Sequence, residues 1–155
     1  MGNSNSAGAP RIDANNSEQK FLELLIKFLE KYSKFKNIPR PKISTQKEDS
    51  EGIDVVLPLS RRKKCYIQLK PNNNRAVKDF IKKHGKRFKK IFILENRDGV
   101  KEIIYNSGIC RDWGKINKRN YIIIIVIYRR ESDKSILEKI KILMGWVFKK
   151  HKNLF

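Results

Sequence analysis

The chain has 155 residues, of which 36 are Lys or Arg and 16 are Asp or Glu, so its formal net charge is +20. This length suits one domain with a real core and is too short for two comfortable ones. A pI near 10.1 predicts a polyanionic partner, with nucleic acid ahead of an acidic membrane surface. No run approaches the roughly 18 apolar residues of a spanning helix, and no signal-peptide core is visible, so we expect no membrane segment.

Cysteine and histidine are too scarce for a disulfide framework or a zinc site. The two cysteines are Cys65 and Cys110, and the two histidines, His84 and His151, do not stand at zinc-ligand spacing from them. We therefore expect reduced thiols and an intracellular protein.

The N-terminal region divides into a tail and a helix. Residues 1–15 are small and polar, which predicts a disordered tail, and residues 16–155 are expected to form the single domain. A helix is predicted from Asn16, with Asn16 or Ser17 as its cap and Gln19 completing a capping box. Apolar residues recur at helical spacing until Pro39 and Pro41 break the pattern. They are Phe21, Leu22, Leu25, Phe28, Leu29 and Tyr32.

The next segments predict a run of strands and a second helix. A short strand at 42–46 and a polar turn at 47–52 precede strands at 53–59 and 64–70, which the basic residues 60–63 connect. Pro71 and the asparagines 72–74 end the third strand. A helix from Ala76 to Gly85 follows, with lysines opposite its apolar side.

The C-terminal part predicts a hairpin, a buried strand and a last helix. Residues 90–95 and 100–105 flank an Asp98-Gly99 turn, and 106–120 read as a loop. Tyr121 to Tyr128 has the length and β-branching of a fully buried central strand. The last helix starts at Ser132 or Asp133. The expected fold class is α/β (α+β), a mixed central sheet flanked by helices.

Two apolar strands carry polar residues where burial would be unfavourable. Asp54 stands among Ile53 and Val55, while Gln68 and Lys70 alternate with apolar neighbours and therefore share one face. A carboxylate in an apolar strand is destabilising unless it is paired or binds a metal. If the strands are neighbours, these groups converge, as metal-dependent phosphodiester hydrolysis requires. The pattern therefore favours a nuclease site.

The order helix, three strands, helix, strand, with Asp54 and Gln68-Leu69-Lys70 on the second and third strands, resembles the core of the PD-(D/E)XK nuclease superfamily. The resemblance covers residues 16–95 and implies a restriction-endonuclease-like core, with the later hairpin, strand and helix as additions. It implies that Asp54, Gln68 and Glu18 hold Mg²⁺ (or Mn²⁺) and that Lys70 positions or activates water. Gln68 stands where most members have Asp or Glu, although some branches, small homing endonucleases among them, resemble this chain in using Gln-x-Lys.

The Gln68 position has a chemical consequence. An amide oxygen can ligate Mg²⁺ but brings no charge, so the metal would be held more weakly than by two carboxylates. Glu51, Asp49 or Glu18 could restore the missing charge.

The expected function is a Mg²⁺-dependent endonuclease of restriction, homing or junction-resolving type, with double-stranded DNA as partner and a homodimer for duplex cutting. Base reading would use the loop 106–120 or the asparagines 72–74. Phosphate contacts are expected from twelve basic residues. These are Arg61, Arg62, Lys63, Lys78, Lys82, Lys83, Lys86, Arg87, Arg111, Lys115, Lys118 and Arg119.

Each feature also has a plainer interpretation. Asp54 could pair with Lys70 or cap a strand end, Glu18 suits the first turn of a helix, and His84 suits a helix C-terminus. Trp113, in the basic loop, is a better candidate for base stacking than Trp146, which suits packing. The alternative functions are a non-catalytic basic DNA- or RNA-binding protein on a degenerate nuclease fold, and an RNA-directed nuclease.

Overall fold

The computed structural model describes residues 15–72, 75–104 and 118–154. Within these ranges the regular elements comprise four helices, six strands and three short 3₁₀ turns. The helices are α1 (Asn16–Lys31), α2 (Gln46–Ser50), α3 (Arg75–His84) and α4 (Asp133–Lys150). The strands are β1 (Lys42–Ile43), β2 (Val55–Pro58), β3 (Lys64–Lys70), β4 (Phe88–Leu94), β5 (Val100–Ile103) and β6 (Arg119–Val126). The 3₁₀ turns are Ser33–Phe35, Gly85–Arg87 and Lys152–Leu154.

All six strands form one mixed sheet in the order β1-β2-β3-β6-β4-β5. The strands β1, β2 and β3 pair antiparallel, as do β4 and β5. The strand β6 pairs in parallel with β3 on one edge and with β4 on the other. The predicted fold class, a mixed sheet flanked by helices, is thereby confirmed.

Helices cover both faces of this sheet. On one face, called here the α1/α4 face, side chains such as Phe21 of α1 and Leu143 of α4 pack against Ile67 and Ile123. On the other, called here the α3 face, Val77 and Phe80 of α3 pack with residues such as Ile122. Of the described helices, none is long and apolar enough to cross a bilayer.

The strand β6 lies at the centre of the sheet, as its unbroken apolar sequence predicts. Residues 122–126 have no solvent exposure, and burying each such side chain contributes roughly 2 kcal/mol. Its position changes one expectation, because the strand predicted as an addition to the 16–95 core lies between β3 and β4. Residues 16–95 therefore do not form a contiguous sheet by themselves.

Several predicted boundaries were wrong at the polar starts of helices. The cap of α1 is Asn15, with Glu18 as its capping-box partner, in place of Asn16 or Ser17 with Gln19. The predicted turn 47–52 is largely α2, because Thr45 and Glu48 form a second capping box. The predicted strand 42–46 consequently stops at Ile43.

The remaining elements differ from prediction by a few residues. The strand expected at 53–59 is limited to Val55–Pro58, and the one expected at 121–128 begins at Arg119 and ends at Val126. The strand expected at 90–95 starts earlier, at Phe88. The predicted tail 1–15, apart from Asn15, and most of the predicted loop 106–120, with Trp113 and Cys110, lie outside the described residues.

A buried ion pair ties α4 to the end of β6. Lys139 Nζ donates to the carbonyl oxygen of Val126 at 2.6 Å and lies 2.9 Å from Glu131 Oε1. Both side chains are 6% exposed. Although burial opposes ionisation of Glu131, hydrogen bonds from Ser135, Lys139 and the amide of Tyr128 hold its pKa below the usual range. The pair fixes the chain as it leaves the sheet.

The C-terminal end of α4 packs against the start of β6. The Tyr121 hydroxyl lies 2.8 Å from His151 Nε2, and Lys150 Nζ lies within 5.5 Å of the ring centroids of Phe92, Tyr121 and Trp146. Trp146 is thus a packing residue. Cys65 is a free, buried thiol, and burial raises its pKa to about 12, which makes it unreactive.

Gly52 permits the close approach of α3 to the segment that leads into β2. Its φ of +93° lies in the region that side chains disfavour, and a Cβ there would lie 2.6 Å from Phe80 Cε2 and 2.9 Å from His84 Cγ. Only glycine fits this contact without displacement of the Phe80 and His84 side chains.

Alanine substitutions at three glycines separate the effect of positive φ at Gly52 from the effect of the collision with Phe80 and His84. We expect Gly52→Ala to lower the free energy of unfolding by about 3 kcal/mol, from positive φ and collision together. Gly99→Ala, with φ +110° and nothing within 4 Å of the added Cβ, should lose only about 1 kcal/mol. Gly145→Ala, exposed in α4, should gain about 1 kcal/mol. Urea unfolding measures all three, and equal losses at Gly52 and Gly99 would contradict the contact with α3.

Candidate functional site

The carboxyl ends of β3 and β6 form a topological switch point of the sheet, called here the β3/β6 crevice. These parallel neighbours continue into helices on opposite sides of the sheet, since α3 follows β3 on one face and α4 follows β6 on the other. In open α/β sheets, ligands bind where adjacent connections diverge in this way. Lys70 pairs with Val126 at this edge, and the amide of Ile127 donates to the carbonyl of Lys70.

Asp54 is held beside this crevice by the backbone of β3. Its Oδ2 accepts from the amide of Leu69 at 2.9 Å, and its own amide donates to the carbonyl of Ile67. The side chain is buried, with 8% exposure. Asp54 stands immediately before β2, not within the strand as predicted. Because Leu69 lies between Gln68 and Lys70, the structure brings these three predicted site residues together.

Gln68 and Lys70 project from β3 toward the α3 face. Gln68 is 7% exposed, and its Nε2 donates to the carbonyl of Leu69 at 3.0 Å, which leaves the amide oxygen as the group available for a ligand. Lys70 Nζ lies 5.5 Å from the ring centroid of Phe80. The described contacts of Lys70 include no ion pair, so the alternative of a direct Asp54–Lys70 salt bridge is not what this structure contains.

Glu18 lies in the first turn of α1, where its plainer interpretation placed it. It is 5% exposed in the first turn of α1, where Oε1 accepts from the amide of Asn15 at 3.2 Å and its amide donates to Asn15 Oδ1. Within 15–72, 75–104 and 118–154, no three His, Cys, Asp or Glu side chains gather as a metal cluster. Of the predicted ligands, Asp54 and Gln68 are the two that hydrogen-bond to the backbone of Leu69.

Glu51, a candidate for supplying the negative charge that Gln68 lacks, forms an ion pair with Arg119. Arg119 Nη2 lies 2.9 Å from Glu51 Oε1, and Nη1 donates to the Tyr66 hydroxyl at 2.6 Å. Burial, followed in smaller part by the neighbouring carboxylates, raises the pKa of Tyr66 above its usual value, even though Arg119 lowers it. Arg119, predicted to contact phosphate, thus has an intramolecular partner.

The predicted phosphate contacts fall in separate places. Arg61, Arg62 and Lys63 are exposed at the start of β3, about 20 Å along that strand from Lys70. Lys78, Lys82 and Lys83 are exposed on the outer side of α3, and Lys86 and Arg87 are half-buried just after it. Lys118 is exposed before β6, whereas Arg111 and Lys115 lie outside the described residues.

His84 joins the site, which its sequence position alone did not indicate. It ends α3 as predicted, its ring lies 5.3 Å from that of Phe80, and Arg87 Nη1 lies 2.9 Å from Nδ1. Burial, followed by the positive charges of Arg87, Lys83 and Lys70, lowers the pKa of His84 to about 4. The sequence feature that could have indicated this contact is a histidine at the end of a predicted helix, followed three residues later by an arginine.

In comparisons with protein families, with characterised proteins and with solved structures, the chain has no significant match.

The lowered pKa of His84 predicts a loss of stability in acid. Between pH 6.5 and about 4 the unfolded chain binds a proton that folded His84 does not, so the free energy of unfolding falls as pH falls. His151, whose pKa is lowered by burial and then by Lys63 and Lys150, acts in the same direction.

We expect the urea midpoint to drop between pH 7 and pH 5, and the drop to be smaller in His84→Gln. His151→Gln is the matched control, because it removes only the part of the pH dependence that His151 contributes. A pH dependence in His84→Gln equal to that of the parent chain would contradict the lowered pKa.

Proposed function

We propose that this protein is a Mg²⁺-dependent endonuclease that hydrolyses phosphodiester bonds in double-stranded DNA. The observation that carries the proposal is the buried carboxylate of Asp54, bonded to the amide between Gln68 and Lys70 beside the β3/β6 crevice. A carboxylate, an amide and an ammonium at one edge of a sheet supply the donors and the charge that this hydrolysis needs. The resemblance to the PD-(D/E)XK superfamily supports the same roles for these three residues.

The donor set fits a weakly held Mg²⁺ or Mn²⁺. Asp54 supplies a carboxylate, and Gln68 supplies an amide oxygen. Protein sites often hold Mg²⁺ with one or two carboxylates and leave the other positions to water and substrate phosphate. A bound metal would supply an acidified water and neutralise phosphate charge.

The protein's own residues would supply the remaining chemistry. Lys70 would place a fixed positive charge near the phosphate, where it stabilises the charge that develops during hydrolysis. The hydrogen bond from Leu69 would hold the Asp54 carboxylate in orientation. A net charge of +20 would draw the DNA backbone to the exposed lysines of α3. Two copies would be needed to cut both strands at once.

One observation favours a second candidate, a non-catalytic protein that binds DNA or RNA. In the described part of the chain, Asp54 is not accompanied by two further acids in a metal cluster. A basic binding protein would need only the charge. Incubation of supercoiled plasmid, linear duplex, single-stranded DNA and RNA, each with Mg²⁺ or EDTA, distinguishes cutting from binding and DNA from RNA.

We expect Asp54→Asn to lower the cleavage rate by about a hundredfold or more, because it removes the ligand charge. DNA affinity should stay equal or rise, since a repulsion against phosphate disappears as well. Asp79→Asn, a change of equal charge at an exposed position on α3, should still cleave. Full activity in Asp54→Asn would refute the site.

Salt dependence should separate binding residues from the catalytic lysine. Reversing Lys82 and Lys83 to Glu should weaken binding to all sequences and flatten the slope of log affinity against log salt by about 2 or more. Lys70→Ala should instead lower turnover of bound DNA about a hundredfold with little change in slope. If Lys70→Ala loses only affinity, the non-catalytic candidate is the better one.

A further inference from the structure

A cluster of positive groups lies on the α3 side of the crevice. Lys70 Nζ lies 5.5 Å from the centroid of the Phe80 ring. The centroid of the His84 ring lies 5.3 Å from the same point. Arg87 contacts His84 directly, and Lys83 is close enough to act on its charge. Four basic residues of β3, α3 and the following turn therefore share one region.

The contact with Arg87 fixes which nitrogen of His84 carries the proton. A guanidinium only donates hydrogen bonds, so Nδ1 of His84 must accept the one from Arg87 Nη1 at 2.9 Å. The neutral ring then carries its hydrogen on Nε2. Burial and the cations around it keep the ring neutral at pH 7, so His84 remains a hydrogen-bond donor without adding charge.

The positive charge of this cluster is not balanced within the described part of the chain. Ion pairs there involve Lys20, Arg97, Arg119 and Lys139, while Lys70, Lys83 and Arg87 have no carboxylate at ion-pair distance. Like charges held together destabilise a fold unless an anion joins them, and such clusters mark anion-binding sites.

Gly52 connects this cluster to Asp54. The backbone at Gly52 approaches the His84 ring so closely that a Cβ would lie 2.9 Å from Cγ, and Asp54 follows two residues later. On the other side, the amide of Leu69, next to Lys70, binds the Asp54 carboxylate. The cations therefore adjoin the proposed cleavage site.

We propose that His84 and Arg87 form a subsite, beside Lys70, for a backbone phosphate of the bound nucleic acid. The remaining donors of Arg87 supply charge, and Nε2 of His84 supplies an oriented neutral donor. The subsite rests on the proposed function, because the phosphate is that of the DNA to be cut. His84 and Arg87 are binding residues in this scheme, and His84 is positioned by Arg87.

The test uses the full chain with a short DNA duplex in EDTA, so that binding is measured without cleavage. The chain has two histidines, and NMR can follow both rings. We expect saturation with duplex to raise the pKa of His84 by about 1 or more, since a phosphate then faces the ring. His151, next to Tyr121 near the C-terminal end of α4, is the internal reference. Its pKa should change much less than that of His84, even though Lys63 lies near it.

A charge-matched pair of variants provides the second measurement. Arg87→Gln should weaken duplex binding about tenfold, whereas Lys141→Gln, at an exposed position on α4, should leave it nearly unchanged. Urea midpoints confirm that each variant is folded. A silent His84, an equal response of both histidines, or equal losses in the two variants would overturn the subsite.

The outcomes also separate this subsite from the proposed endonuclease. A chain that cleaves with Mg²⁺ while His84 stays silent would retain the nuclease function and lose the subsite. A chain in which His84 responds but no Mg²⁺-dependent cleavage occurs would retain phosphate binding and lose the endonuclease.

Discussion

The strand β6 is paired on both edges and covered on both faces, and this double burial organises the molecule. Residues 122–126 have no exposed surface, so this stretch carries no polar side chain and is stable only inside the sheet. Its parallel pairing with β3 and β4 brings three carboxyl ends to one edge. Because α3 and α4 continue from that edge on opposite faces, the crevice is a consequence of where β6 lies.

The polar chemistry of the candidate site is arranged around backbone groups. Asp54 is oriented by the amide of Leu69 and Gln68 by the carbonyl of the same residue. A main-chain donor fixes the orientation of a carboxylate. Lys70 is thus left to face Phe80 and His84, where a ligand phosphate could meet it.

Local sequence patterns predicted most of the helices and strands. Features that depend on contacts between distant residues were not predicted. Helical spacing identified α1, α3 and α4, and the polar residues in apolar strands identified the neighbours Asp54, Gln68 and Lys70. The helix α2 was missed because its signal is the reciprocal capping of Thr45 and Glu48, which a polar composition conceals.

Other features depend on contacts that no local pattern contains. The insertion of β6 between β3 and β4 is a pairing across tens of residues. The partner of Arg119 is Glu51, which lies 68 residues earlier in the chain. Charge alone could not indicate this intramolecular partner of Arg119.

The Lys139–Glu131 pair constrains how this sequence can diverge. Removal of one partner would leave a buried, uncompensated charge, which typically destabilises a protein by about 3–5 kcal/mol. Replacement of both by apolar residues of similar volume is often neutral. Since the free energy of unfolding is commonly only about 5–15 kcal/mol, a chain with a single change at either position would lose a large part of its stability. Lys139 and Glu131 should therefore be inherited as a unit and, where they differ among descendants of this chain, differ together.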